Sequence, residues 1–321
     1  MHFVLGSLRQ GSARPAAAPI VLTAIGGALA QAVATILRHV RPHTPLIGCD
    51  QGEEHAGAHY VDTLLQVPPA SDPAYVPTLR RVIAREGAAY VFPLSEPELR
   101  ALAPVVNESA SWITPGAQAI DAGVDKLATA QALHRLRVPS PWTAPSHIPT
   151  PSLPCVFKAR FGSGGRHVHV VQTQEGVRYF SSVEPVSIVQ EYLTGEYEVT
   201  CAVYRTYDDR VGTLQMRRHL AGGSTRWAKV VRDPRIDALC TTIAEGLDVR
   251  GAINVQLRVT ESGPRVFEIN PRYSSTVDLR HALGWTDVVW ALDEAEGRPV
   301  VFPDVKVGAV VARTHGAVVL T

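Results

Sequence analysis

Residues 251–276 of this 321-residue chain include Gln256, Glu268, Asn270 and Arg272, whose types and spacing could do chemistry at one site. Apolar and polar residues alternate in the first half of the segment, as in a half-buried strand, and the turn sequence ESGP leads into a second strand, VFEIN. Glu268 and Asn270 leave one face of that strand, and Gln256 can lie across from them in a hairpin. Such oxygens suit a hard cation such as Mg²⁺, and Arg272 is placed for a phosphate. The alternative is a sheet face with a few exposed polar residues.

A glycine-rich segment, FGSGGR at residues 161–166, joins two further predicted strands at residues 155–159 and 167–171. A hairpin capped by such a loop can lay backbone N–H groups over phosphates. The segment lacks the GK[ST] of a P-loop, and a GSGG loop alone is common. Because Lys158 stands just before the loop on the first strand, we expect a nucleotide site here.

The segment that follows contains residues suited to the other end of a nucleotide. The main chain from Glu191 to Leu193 can hydrogen-bond an adenine edge, and Glu198 can accept ribose hydroxyls. Each carboxylate can equally be an exposed strand residue. Further on, a loop predicted at residues 221–225 has a basic rim, which is either a solvated edge or a clamp on anionic groups. The rim consists of Arg217, Arg218, Arg226 and Lys229.

The first third of the chain alternates apolar strands with helices, which indicates a parallel α/β sheet. Strands are predicted at residues 20–25, 46–50 and 89–93, and helices at 28–39, 73–85 and 97–107. Ligands of such sheets bind beyond the carboxyl ends of the strands, which places Glu96 near a substrate. Glu96 can equally be an acid favoured by a helix dipole. Gly26 and Gly27 do not complete a GxGxxG motif, so we interpret them as a tight turn that allows close packing.

The composition argues against several classes of protein. Lys plus Arg number 31 against 30 for Asp plus Glu, so general nucleic-acid binding is not expected. The four cysteines have no CxxC-type spacing, which favours reduced thiols in a cytoplasmic enzyme. Residues 15–37 carry no charge, but their prolines and glycines favour a strand, a turn and a helix, so we expect no membrane association. His55 and His59 have the i, i+4 spacing of a helical metal pair without a visible third ligand.

Taken in order, five segments resemble the ATP-grasp superfamily, and within it the carbamoyl-phosphate-synthetase-like and amino-acid-ligase-like members. The segments are Asp125-Lys126, VFKARFGSGGRHV at 156–168, VQEYLTGEYEVT at 189–200, GAINVQLRV at 251–259 and VFEINPRYSST at 266–276. The resemblance covers residues 111–290. It implies an α/β (α+β ATP-grasp) fold, with an N-terminal parallel α/β pre-ATP-grasp domain before a two-subdomain ATP-grasp fold. The expected division is 1–112 for the first domain, 113–186 for the small subdomain with the Gly-rich lid, and 187–321 for the large subdomain with the Mg-ATP site.

The resemblance also assigns residues to an ATP site. The expected nucleotide contacts are Lys126 and Lys158 on the phosphates, Gly162, Ser163, Gly164 and Gly165 in the lid, Glu191 and Leu193 on adenine through the main chain, and Glu198 on the ribose. The expected ligands of Mg²⁺, or of Mn²⁺, are Gln256, Glu268 and Asn270. Arg272 and Lys158 are the expected catalytic residues, with Arg272 on the transferred phosphoryl group.

Two departures from the family pattern leave alternatives open. The spacing before Glu198 is one residue longer than usual, so Glu196 can hold the ribose instead. A glutamine at position 256 is similar to the carbamoyl-phosphate-synthetase branch, whereas many other members use an acid. Unlike a full synthetase, this chain has one ATP-grasp unit and no visible glutaminase partner.

The implied reaction is the ATP-dependent joining of a carboxylate and an amine. The carboxylate attacks the γ-phosphate of ATP, and an amine captures the acyl phosphate to give an amide or peptide bond with release of ADP and phosphate. The expected partners are small, amino-acid-like acids and amines, and a homodimer is common in the family. Candidate substrate contacts are Glu96, Arg258, Ser274 and Ser275. The alternatives are an ATP-dependent kinase, a bicarbonate-activating enzyme of the carboxylase type, and a non-catalytic ATP-binding protein.

Overall fold

The computed structural model describes residues 17–108, 112–162 and 168–314, which form three β-sheets with helices packed around them. The strands are β1 Ile20–Thr23, β2 Leu46–Asp50, β3 Thr63–Gln66, β4 Tyr90–Phe92, β5 Thr143–Pro145, β6 Cys155–Ala159, β7 His169–Val171, β8 Ser187–Glu191, β9 Tyr197–Arg205, β10 Val211–Ala221, β11 Ser224–Val231, β12 Gly251–Thr260, β13 Gly263–Asn270 and β14 Val310–Ala312. The α-helices are α1 Ala28–Val40, α2 Tyr75–Glu86, α3 Glu96–Leu102, α4 Ala117–Val124, α5 Lys126–Arg135, α6 Gln174–Val183, α7 Pro234–Gly246, α8 Val277–Ala282 and α9 Asp287–Ala295.

The N-terminal sheet is parallel and has the strand order β3-β2-β1-β4. Its turn after β1 is tight because the Gly26 amide donates to the Asp50 carboxylate at 2.8 Å. A Cβ atom on Gly26 would lie 2.6 Å from the His55 ring, so only glycine fits this approach. Gly26 therefore serves close packing, as the sequence indicated.

The small sheet is antiparallel and has the order β5-β8-β6-β7. Strands β6 and β7 flank the glycine-rich segment, and α6 packs Val177 and Phe180 against this sheet. Because β8 ends at Glu191, the sheet extends past residue 186, where the division of the two subdomains is expected. That division remains a prediction.

The large sheet has the order β13-β12-β9-β10-β11-β14, and its neighbouring strands are antiparallel. One of its faces is apolar: Val203 on β9 and Val255 on β12 pack with Ile236 and Ile243 of α7. The period-2 alternation then sends Gln256 of the same strand to the opposite face. The end of that opposite face that carries Gln256 supplies most of the candidate site, whereas the rest of the face is packed in a buried apolar core.

The predicted fold class is confirmed: a parallel α/β sheet precedes two antiparallel sheets with helices. The strand β3 was not predicted, because it is four residues long and its residues are only partly buried or exposed. The loop predicted at residues 221–225 is instead a two-residue turn between β10 and β11. Gly222 and Gly223 have φ angles of 57° and 77°, the left-handed backbone that tight hairpin turns require.

In the three described ranges, no helix combines the length and the apolar character that crossing a membrane requires.

Candidate active site

A cavity of about 540 Å³ lies where the three sheets meet, a volume within the usual range for small-molecule sites. Apart from Glu196, the alternative ribose ligand, every residue assigned to the predicted ATP and substrate site that the structure describes lines it. These residues are Glu96, Lys126, Lys158, Gly162, Glu191, Leu193, Glu198, Gln256, Arg258, Glu268, Asn270, Arg272, Ser274 and Ser275. Ser163, Gly164 and Gly165, the other predicted lid residues, lie outside the described residues.

Strand pairing places the predicted metal ligands side by side. Gln256 on β12 stands directly opposite Glu268 on β13, as the hairpin interpretation predicted. Asn270, two residues along, donates its amide N–H to Glu268 Oε1 at 3.1 Å. A carboxylate and two amide oxygens therefore share one face of the sheet.

This donor set fits Mg²⁺ better than it fits a softer metal. Among the residues that the structure describes, no three His, Cys, Asp or Glu side chains form a metal-binding group. Mg²⁺ is commonly held by one or two carboxylates together with substrate phosphates. Glu268 with its amide neighbours fits that requirement, provided that phosphate oxygens complete the coordination.

Glu198, the predicted ribose ligand, is held between two arginines. Its Oε1 accepts from Arg258 at 2.6 Å and its Oε2 accepts from Arg218 at 3.2 Å. The same Nη2 of Arg218 donates to Gln256 Oε1 at 2.8 Å. Strand register brings these side chains together. Glu198 on β9 pairs with Arg258 on β12, and two residues along the same strands Thr200 pairs with Gln256. Glu196, the alternative ribose ligand, is not among the residues that line the cavity.

Within the part of the chain that the structure describes, the two predicted phosphate-binding lysines donate to neutral hydrogen-bond acceptors only. Lys158 is buried on β6 and donates to Gln190 Oε1 at 2.8 Å. Burial lowers the pKa of Lys158 below its ordinary value, and the nearby negative charge of Glu268 only partly offsets this. Lys126 donates to the carbonyl oxygen of Gly162 at 2.5 Å, at the beginning of the glycine-rich segment.

The predicted adenine segment is fixed through its acidic residue. The Glu191 carboxylate accepts from both terminal nitrogens of Arg265 at 2.7 Å, which lowers the pKa of Glu191. The Glu191 N–H donates to the carbonyl oxygen of Trp142 at 2.9 Å. The Glu191 N–H is therefore already paired and is not available to adenine.

The predicted substrate residues form two groups. Glu96, in the first turn of α3, accepts from Arg272 at 2.8 Å, and this pair is nearly buried. Its position satisfies both earlier interpretations, since it is an N-terminal helix acid that also lines the cavity. Ser274 hydrogen-bonds to Thr276 at 2.7 Å and lies two residues after Arg272. Arg258 instead belongs with Glu198.

The histidine pair predicted as a weak metal alternative does not form a metal site within the described chain. Nδ1 of His55 accepts the N–H of Gly57 at 3.0 Å, and its Nε2 lies 3.0 Å from the carbonyl oxygen of Gly52. His59 contacts the Tyr60 ring. The role of His55 is to hold a loop.

Comparison with known proteins gives the site its context. Residues 183–317 match a family model described as ATP-grasp in the biosynthetic pathway with Ter operon. N5-carboxyaminoimidazole ribonucleotide synthetase from Thermus thermophilus is 18% identical, with 88% of this chain and 79% of that chain covered and a TM-score of 0.71. The chain has the ATP-grasp fold. This confirms the resemblance to the ATP-grasp superfamily that the order of motifs suggested.

Two further solved structures have the same ATP-grasp fold. Biotin carboxylase from Campylobacter jejuni, in a β-γ-ATP complex, is 16% identical, with 91% of this chain and 74% of that chain covered and a TM-score of 0.70. The biotin carboxylase domain dimer of 2-oxoglutarate carboxylase from Hydrogenobacter thermophilus was solved with MgADP, ADP and bicarbonate. It is 15% identical, with 91% of this chain and 73% of that chain covered and a TM-score of 0.72. No curated protein matches the sequence.

Among the lining residues without a role assigned from the sequence are Thr200, Gln190 and Phe267. Arg218, named in the sequence only as part of a basic rim that is either a solvated edge or a clamp on anionic groups, lines the cavity as well. Thr200 follows Glu198 by two positions, so strand alternation could have identified it. Phe267 lines the cavity beside Glu268 because of a β-bulge: the register shifts between Gln256 and Leu257 of β12, which leaves Phe267 without a partner on that strand. No sequence pattern reveals such a bulge. Gln190 and Arg218 depend on which strands become neighbours.

Proposed function

We propose that this chain is an ATP-dependent ligase that activates a carboxylate as an acyl phosphate and joins it to an amine. The observation that carries the proposal is the convergence of five separate sequence segments on one cavity. Lys126, Lys158, Glu198, Gln256 and Glu268 each come from a different segment and all line it. Phosphoryl transfer depends mainly on positioning and charge neutralisation, and these side chains supply both.

The charge of the cavity supports a polyanionic ligand. Among the described lining residues, five are basic and four are acidic. Glu191 is neutralised by Arg265, which is not among the lining residues. Three carboxylates therefore oppose five cations, and the excess positive charge favours a triphosphate.

A divalent cation would neutralise part of the phosphate charge when bound. The carboxylate of Glu268 and the amide oxygen of Asn270 would hold it, and Gln256 faces both from the neighbouring strand.

The chain's own side chains would divide the work along the cavity. Lys126 and Lys158 would bind the phosphates, since both line the cavity and the Lys126 amine reaches the beginning of the glycine-rich segment. Arg272 lies between Asn270 and Glu96 and would contact the transferred phosphoryl group. A substrate carboxylate oxygen attacks the γ-phosphorus as the bond to ADP breaks. The amine nitrogen then attacks the acyl carbon, phosphate leaves, and the nitrogen loses a proton.

The acid and the amine would bind near the Glu96–Arg272 pair. The pair lies between the N-terminal sheet and the part of the cavity that is proposed to hold ATP. Ser274 and Ser275 line the cavity beside it. A carboxylate and a guanidinium presented together suit a ligand that carries both charges, which supports amino-acid-like substrates.

A second candidate reaction activates bicarbonate in place of an organic carboxylate. It is favoured by the similar structure from Hydrogenobacter thermophilus, which was solved with bicarbonate and MgADP. The two candidates differ in which acid supports ATP turnover.

The test is a scan of ADP and phosphate release with ATP, Mg²⁺, and panels of amino acids and small amines. We expect release only when an acid and an amine are both present. AMP and pyrophosphate as products would contradict an acyl phosphate, whereas turnover with bicarbonate alone would establish the second candidate. Nucleotide binding without turnover under any condition would identify a non-catalytic ATP-binding protein. Light scattering of the same sample tests whether the chain is a homodimer.

A further inference from the structure

Arg218 has an arrangement that the proposed roles of its neighbours do not explain. It projects from β10 into the cavity, and its Nη2 donates to Gln256 Oε1 at 2.8 Å and to Glu198 Oε2 at 3.2 Å. Arg258 donates to the other oxygen of the same carboxylate at 2.6 Å. Two guanidinium groups thus share one carboxylate, and the remaining partner of Arg218 is an uncharged amide.

The charge of Arg218 is therefore only partly compensated, although its side chain is only 9% exposed. Within the described residues its Nε also finds no hydrogen-bond acceptor, and that atom is buried. A buried charged group without full pairing is unfavourable. An anionic oxygen from a ligand in the cavity would remove this imbalance.

The neighbours of Arg218 indicate which anion this is. Glu198 is the residue proposed for the ribose, and Glu268, directly opposite Gln256, is the carboxylate proposed for the metal. The guanidinium bridges these two ends of the cavity. The phosphate chain of a nucleotide is the anionic group that joins a ribose to a metal-bound phosphate.

We propose that Arg218 binds the phosphate chain of the nucleotide and that Gln256 is a positioning residue that holds Arg218. This inference rests on the proposed function, because it assumes a nucleotide in the cavity. It reassigns Gln256, which the family resemblance made a metal ligand. A guanidinium hydrogen-bonded to Gln256 Oε1 places a positive charge where a metal ion would have to approach that oxygen, so the two roles compete.

The register of β10 offers a matched control. Arg217 pairs with Val199, whose side chain lies on the apolar face of the sheet, and its guanidinium lies over the Tyr197 ring at 4.9 Å. It is exposed and is not among the residues that line the cavity. The adjacent arginines thus differ in access to the cavity but not in charge or strand.

The first experiment measures nucleotide binding by calorimetry without metal, using ADP and adenosine as probes. We expect Arg218→Gln to weaken ADP binding about tenfold or more, the effect of losing one charge-assisted hydrogen bond, and to leave adenosine binding unchanged. Arg217→Gln should match the wild type with both probes. Equal ADP affinities for wild type and Arg218→Gln would overturn the proposal, as would an equal loss for ADP and adenosine. If the anion bound by Arg218 is the substrate carboxylate, ADP affinity stays unchanged while the acid binds more weakly.

The second experiment separates positioning from metal coordination with Gln256→Glu. A carboxylate at this position pairs with Arg218 and withholds it from phosphate, so metal-free ADP binding should weaken several-fold. If Gln256 were instead a metal ligand, the added charge would increase the gain in ADP affinity that Mg²⁺ produces, whereas a positioning role predicts no such increase. An increased gain would refute the positioning role.

The wild type distinguishes failure of this inference from failure of the proposed function. If the wild type binds no ADP or ATP, both are wrong. If it binds ADP and Arg218→Gln binds it equally well, only the role of Arg218 is wrong. Circular dichroism of each variant, together with its retained adenosine binding, shows that the cavity is still folded.

Discussion

The basic side chains on the two sides of the cavity differ in what balances their charge. On the side of the small sheet, Lys158 hydrogen-bonds to an amide oxygen and Lys126 to a backbone carbonyl oxygen. On the side of the large sheet, Arg258 and Arg218 bind the Glu198 carboxylate, and Arg272 binds Glu96 through a nearly buried ion pair. In the described part of the chain, neither lysine has a carboxylate partner.

This difference separates two tasks. The lysines keep their charge available for a phosphate, and so does Arg218, whose charge Glu198 compensates only in part. Arg258 and Arg272, in contrast, are already oriented by carboxylates before any ligand arrives. Orientation before binding lowers the cost of reaching the reactive geometry. We therefore expect changes on the small sheet to affect nucleotide affinity, and changes around the metal-binding residues of the large sheet to affect turnover.

The largest expected effect comes from Glu268→Gln. Glu268 is the single carboxylate of the proposed metal-binding group, so the change removes its negative charge while keeping its size. We expect ATP turnover, measured as ADP release, to fall about a thousandfold, with metal-free ADP affinity little changed. Glu261→Gln, in the exposed turn of the same hairpin, should behave as wild type. A turnover within about tenfold of the wild type would remove Glu268 from the metal site.

On the small sheet, we expect Lys158→Ala to weaken ATP binding about ten- to hundredfold by calorimetry, because it removes a charged donor to the phosphates. Lys306→Ala, at an exposed position, provides the control for loss of one positive charge. Unchanged ATP affinity in Lys158→Ala would mean that this amine does not contact the nucleotide, and the contrast between the two sheets would fail.

The pH dependence of binding sharpens the same contrast. A lysine attracts a phosphate only while it is protonated, and burial lowers the pKa of Lys158 below its ordinary value of 10.5. ADP affinity should therefore decrease as the pH rises through this lowered pKa. Lys158→Arg keeps its charge and should remove the decrease. The same slope in both proteins would assign the pH dependence to another group.

In the absence of nucleotide, the stability of the fold depends on pH in the opposite direction to ADP affinity. The folded chain holds the Lys158 proton less tightly than the unfolded chain does, so stability increases with pH from the lowered pKa up to 10.5. Lys158→Met should lack this increase in denaturation curves measured across that range.

Local sequence patterns predicted those parts of the site that depend on one strand or one hairpin. Alternation placed Glu268 and Asn270 on one face, and the short ESGP turn paired them with Gln256. Such predictions succeed because a strand has a period of two and a short turn fixes the register.

The parts that the sequence missed or left open depend on contacts between distant segments. Arg217 and Arg218 are equivalent in the sequence, and only the pairing of β10 with β9 decides which of them reaches the cavity. The bond between Arg218 and Gln256 joins residues 38 positions apart. The bulge that turns Phe267 toward Lys158 also has no sequence signal, because one extra residue in a strand leaves the composition unchanged.

The smallest expected effect concerns Glu191, whose carboxylate is fixed by Arg265 in the way that the large-sheet arginines fix Glu198. Because that carboxylate is already paired, we expect Glu191→Gln to change ADP affinity less than about threefold while destabilising the fold by about 1 kcal/mol. Arg178→Ala, which breaks an exposed ion pair with Glu175, should change neither quantity.

The Arg265 guanidinium lowers the pKa of Glu191 below its ordinary value of 4.5, so the loss of stability in Glu191→Gln is present above that value. It should disappear as the pH falls through the lowered pKa, because the wild-type carboxylate is then protonated as well. A large loss of ADP affinity in Glu191→Gln would show that the side chain itself contacts the nucleotide. The Glu191 carboxylate would then bind ligand although Arg265 pairs with it, so pairing with an arginine would not by itself exclude a carboxylate from ligand binding.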